Sequence, residues 1–213
     1  MITEPDVTLT DYGLAVECAL LVYFLRRLGN RSQSLRNWFL LFFGSTAAAA
    51  LAGGTVHGFF LDVQTLGYQI LWPLTLVAIG VTALAAWVIG ARIYFSPKVA
   101  GWVSIIAVIE FAGYCLVVLF VTHSFSIAVI NYLPAAIFLT VVFFVIYCQA
   151  RERQVLIGLG GLLLTFIAAG IQQAGIALHP TYFNHNALYH LLQAVALFMI
   201  FWAARWWVKV SAI

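Results

Sequence analysis

The chain has 213 residues, 64% hydrophobic and 8% charged, with a formal net charge of +3 and a mean hydropathy of +1.04. Soluble domains carry about a quarter charged residues, so this composition excludes a water-soluble globular domain. The few basic residues sit at the ends of apolar runs, which excludes a nucleic-acid-binding surface and leaves an integral membrane protein.

A helix rises about 1.5 Å per residue, so about 20 apolar residues cross the hydrocarbon core. Seven such stretches are predicted, near 9–28, 36–60, 68–94, 99–121, 126–148, 155–177 and 186–208. The opening MITEPDVTLTDYG is acidic and lacks the basic region of a cleaved signal peptide, so the first span is expected to stay in the mature chain. Between spans lie the short polar or Gly/Pro-bearing pieces RRLGNRSQSLR, DVQTLG, SPK, THS, QARERQ and HPTYFNHN. AAAALAGG in the second span and GLGGLLL in the sixth read as surfaces for close helix packing. Cys18, Cys115 and Cys148 stand singly in apolar runs and read as small buried hydrophobes. The expected fold is all-α, one domain over residues 1–213.

All ten Lys and Arg residues fall on alternate connections: Arg26, Arg27, Arg31 and Arg36, then Arg92 and Lys98, then Arg151 and Arg153, then Arg205 and Lys209. By the positive-inside rule these ends are cytoplasmic, giving an N-out, C-in chain in the cell membrane.

With that orientation all five histidines, His57, His123, His179, His185 and His190, gather at the outer end. His57 near the end of the second span and His190 one turn into the seventh come out at similar depth on antiparallel helices. Imidazoles at hydrocarbon level are expensive unless they face an interior or a partner. Three neutral imidazoles and a water make an open zinc site, and His185 completes the set His57, His185 and His190. His185 and His190 are i and i+5, about 140° apart on an ideal helix, so their convergence requires His185 to bend over the helix entrance. Asn184 reads as the N-cap of the seventh helix, and His123 as a solvated loop residue. Asn186, Gln173, Gln193 and Tyr114 are expected to orient the site, and Asp62 or the mid-span Glu110 to act as general base toward a zinc-bound water. Glu17 is a second mid-span carboxyl without an assigned role.

The layout, with GGTVHGFF around His57 and HNALYHLLQ carrying His185 and His190, resembles the seven-helix intramembrane hydrolase superfamily of alkaline ceramidases, adiponectin-type receptors and Per1-like proteins. It also looks like uncharacterised bacterial seven-helix proteins. The resemblance implies zinc held by one His on helix 2 and two on helix 7, and hydrolysis of a lipid amide. Where that superfamily places Ser four residues before the helix 2 His, this chain has Gly53, and four residues before His190 it has Asn186.

Three functions are therefore expected in competition. One is a zinc-dependent hydrolase of a lipid or amphiphilic amide or ester. Another is a redox protein with haem between His57 and His190. The third is a non-catalytic receptor or subunit of a membrane complex. Membrane lipids are the expected surroundings in each case.

Overall fold

The computed structural model describes residues 2–28, 33–179 and 181–210. They form seven α-helices: α1 (Pro5–Arg26), α2 (Gln33–Phe59), α3 (Leu66–Tyr94), α4 (Pro97–Phe120), α5 (Phe125–Ala150), α6 (Arg153–Gln173) and α7 (His185–Val210). All seven are long and apolar enough to cross a membrane. The chain is an all-α, multi-pass membrane protein.

Helix ends differ from expectation at two informative places. α1 begins at Pro5, four residues early, because proline in a first turn gives up an N–H that has no helical partner there. α6 ends at Gln173, short of 177. Gly175 takes a left-handed φ of 67°, its N–H bonds the Gln172 carbonyl at 3.0 Å, and the Ile176 N–H reaches the Ile171 carbonyl at 3.1 Å, closing the helix in a Schellman motif. Asn184 caps α7 as its sequence position indicates, with Oδ1 accepting from the Asn186 and Ala187 N–H groups at 2.9 and 3.1 Å.

The helices pack in the order α1–α2–α3–α5–α6–α7, and α1 closes the ring on α7, while α4 lies outside against α3. Glycines set two of the close approaches. A Cβ at Gly161 would stand 2.6 Å from the Ala196 carbonyl oxygen, which lets α6 and α7 touch backbone to backbone. A Cβ at Gly54 would stand 2.7 Å from the Asp11 Cβ, so this glycine draws α1 against α2 at the level of Asp11. The Gly-rich stretches therefore act as packing surfaces. Of the cysteines, Cys18 is buried, Cys115 half-buried and Cys148 exposed, so the buried reading fits Cys18 alone.

The two ends of the ring are filled differently. Toward the end that carries the described basic residues, Phe39, Phe42, Phe43, Phe143, Leu25, Ile89, Leu139 and Phe201 pack into a continuous core. Toward the other end, where α1, α3, α5 and α7 begin, the ring is hollow.

Candidate functional site

The hollow is a cavity of about 430 Å³. Leu14, Phe42, Ile79, Ala136 and Leu197 make its lower part apolar, while Asp11, His57, Thr75, Tyr132, Gln172, Asn186, Tyr189 and His190 make its upper part polar. Val129 and Leu133 on α5, 38% and 44% exposed, and exposed Gln173 on α6 also line it. The cavity thus opens on the bundle surface between α5 and α6. A polar head joined to an apolar tail matches this interior.

His57 is fixed by the segment before α1. The Thr3 N–H donates to the Gly58 carbonyl at 3.0 Å, laying that segment on the end of α2. Glu4 is thereby brought to His57, whose Nδ1 lies 2.5 Å from Glu4 Oε2. A carboxylate only accepts, so Nδ1 donates this bond and, among the described residues, Nε2 is left without a partner of its own. Trp72 stands edge-on to the ring at 6.5 Å.

His190 is held from both nitrogens. Nδ1 lies 3.2 Å from Thr10 Oγ1, and Nε2 lies 3.2 Å from Asp11 Oδ1. Thr10 has a single hydroxyl proton, directed at the Asp6 and Val7 carbonyls at 2.8 and 3.0 Å. With that proton on a carbonyl, the Thr10 oxygen accepts from Nδ1–H of His190, and Nε2 then faces the Asp11 carboxyl. Asp11 is 5% exposed, and Gly53 stands beside it: a Cβ there would lie 3.9 Å from Asp11 Oδ2.

Asn186 Oδ1 accepts from Gln172 Nε2 at 3.0 Å, which ties the mouth of α6 to α7. Deeper in the cavity, Gln193 Nε2 reaches Thr165 Oγ1 at 3.4 Å. Asp6 Oδ2 accepts from the Asn184 N–H at 2.9 Å, so the first turn of α1 and the entrance of α7 move as one piece.

The structure brings His57, His190, Asn186, Gln173 and Gln193 to the cavity. Four other residues marked in the sequence fall elsewhere. His185 opens α7 and is not among the residues that line the cavity. Asp62 lies in the exposed turn after α2, where Oδ1 accepts from the Gln64 N–H at 2.9 Å. Glu110 is exposed on α4, outside the ring. Tyr114 is buried at the α3–α4 contact and donates to the Leu76 carbonyl at 2.7 Å, a structural anchor away from the cavity. His123 and His179 are exposed. Asp11, the carboxyl that meets His190, lies at the outer end by sequence, but nothing in its spacing pairs the two. Glu4 and Thr10 are equally silent in sequence, since each acts through a contact between remote segments.

Among the described residues, no group of three or more His, Cys, Asp or Glu side chains converges tightly enough to form a metal cage as it stands. Asp11 and His190 stand at hydrogen-bond distance, a spacing also compatible with two donors to one ion. Two donors about 2.1 Å from a tetrahedral zinc are about 3.4 Å apart, close to the 3.2 Å observed.

No curated protein matches the chain, and no solved structure matches it. A family of unknown function, DUF6962, matches residues 7–209, and the chain belongs to that family.

Proposed function

We propose that the protein is a metal-dependent intramembrane hydrolase of a lipid-like amide or ester, with the metal set Asp11, His57 and His190 rather than His57, His185 and His190. The observation that carries this reading is the treatment of the two histidines. Each has Nδ1 engaged by an oxygen, from Glu4 or Thr10, and each keeps Nε2 for the cavity or its carboxyl. Oxygen partners on the far nitrogen fix the tautomer and raise the basicity of a ligating imidazole. When bound, zinc would lower the pKa of a water and polarise a carbonyl.

The chain's own groups do the remaining work. With the ion bound, His190 Nε2 and Asp11 Oδ1 would hold it, leaving the second oxygen of Asp11, Oδ2, to take a proton from the attacking water and return it to the leaving group. Tyr132 and Tyr189 border the cavity with phenolic donors for the substrate's carbonyl oxygen. The apolar floor holds the chain of the amphiphile, and the opening between α5 and α6 admits it from the bilayer. The positive-inside rule, applied to the basic residues at the filled end, orients the cavity toward the extracytoplasmic side.

The haem reading draws less support, because Asp11 occupies the direction in which His190 Nε2 would meet an iron. A non-catalytic receptor would use the same cavity without need of the Asp11 and His190 pair.

The reading is tested by incubating the purified protein with matched long-chain amide and ester substrates in detergent, with and without a chelator. Hydrolysis that stops on chelation, returns with zinc and is lost in His190→Ala and His57→Ala is the expected outcome. Hydrolysis insensitive to chelator or to both substitutions would refute it.

A further inference from the structure

A second feature lies outside the ring and is independent of the cavity's chemistry. α4 has only 17% of its apolar span buried, the least of the seven helices, and its packing is against α3. On its uncovered side stands Glu110, exposed and, among the described residues, without a hydrogen-bond partner. It lies 13 residues into a 24-residue helix, about 20 Å along the axis, and so at mid-membrane. A carboxyl facing lipid there costs roughly 3 kcal/mol on insertion scales, which selects for a protein partner.

We propose that α4 is the interface of a homodimer, in which Glu110 meets Glu110 of a second copy across a two-fold axis along the membrane normal. Two copies inserted in the same orientation can be related only by an axis of that direction. It brings identical residues together at identical depth, so a mid-membrane carboxyl on this face meets its own copy. A protonated carboxyl is both donor and acceptor, and two of them satisfy each other without a cation. Among the described residues no Lys or Arg lies within the middle of a span, so a second copy offers no ion pair there in its place.

The steric environment agrees. Gly113, one turn from Glu110, has no atom within 4 Å of where a Cβ would be, and with Ile106 and Val117 it shares the Glu110 side of α4. A glycine one turn from a polar group lets two backbones come close enough for that group to bond.

Subunit counting by photobleaching of the full-length, singly labelled protein in phosphatidylcholine vesicles, over a range of protein densities, tests the proposal. Wild type is expected to bleach in two steps at high density and one at low density. Glu110→Gln, which keeps a donor and an acceptor, should dimerise within about two-fold of wild type. Glu110→Ala should weaken dimerisation by about 3-fold to about 20-fold, the range of interhelical hydrogen bonds in membranes, and Gly113→Leu should weaken it further. Single-step bleaching of wild type at every density would overturn the proposal, as would a dimer indifferent to both Glu110→Ala and Gly113→Leu. Because Glu110 has no partner among the described residues, the detergent-isolated monomer of Glu110→Ala should unfold at the wild-type temperature; a marked drop would contradict the exposed placement.

Discussion

Asp11 on α1 and Glu110 on α4 are both carboxyl groups carried on membrane-spanning helices. Asp11 is 5% exposed, lies 3.2 Å from His190 and sits where Gly54 lets α1 close on α2. Glu110 is exposed on the one helix outside the ring. Asp11 has its partner within the fold, and Glu110, among the described residues, has none. That difference is the ground on which Asp11 is proposed for chemistry and Glu110 for assembly, although both stand out equally in the sequence as costly residues.

Removing each carboxyl sharpens the contrast most. Asp11→Ala leaves a buried imidazole without its partner and is expected to lower hydrolytic activity by about 100-fold or more and to destabilise the detergent-solubilised monomer by about 2 kcal/mol or more. Glu110→Ala should leave both unchanged. Equal losses in the two variants, read by substrate turnover and thermal unfolding, would erase the distinction.

Glu4→Gln comes next. It keeps a hydrogen-bonding oxygen near His57 Nδ1 but loses the carboxylate charge, and should weaken zinc affinity by about 10-fold, within the range for groups that orient a metal-bound imidazole. Competition with a chromogenic chelator measures it. Gly54→Ala forces a Cβ to within 2.7 Å of the Asp11 Cβ; pushing α1 off α2 should cost about 1–3 kcal/mol in thermal unfolding and displace Asp11 from His190.

The smallest effects are expected at two positions that the sequence would rank high. Gly53→Ser meets Thr75 Cγ2 at 3.5 Å and Asp11 Oδ2 at 3.9 Å, ordinary contact distances. Stability should change by less than about 1 kcal/mol, and the added hydroxyl has Asp11 within reach. His185→Ala should change zinc content and turnover by less than two-fold, because that side chain does not line the cavity.

Much of the fold was legible because a membrane span is a long, local signal: about 20 apolar residues in a row depend on no contact with any other segment. The N-cap at Asn184 is local in the same way. The errors at helix ends came from Pro5 and Gly175, which act through backbone conformation rather than hydropathy.

The site was legible only in part. Placing His57 and His190 by helix rise put both on one cavity, since depth along a helix follows from counting. Which helices are neighbours does not. The ring order that sets α1 between α2 and α7 is what unites Asp11 with His190, Thr10 with its far nitrogen and Glu4 with His57. The same packing leaves α4 outside and takes Glu110 and Tyr114 away from the cavity. His185 is absent from the cavity lining although its i+4 neighbour Tyr189 is part of it, a difference that counting along the helix does not predict.

Elemental analysis of the purified full-length protein, beside Asp11→Ala and His190→Ala prepared identically, tests the central claim most directly. The account predicts about one zinc per chain in the wild type and a fall to background in both variants, with His185→Ala retaining the metal. A metal-free wild type, or zinc that survives loss of Asp11 and His190 but disappears with His185→Ala, would contradict it.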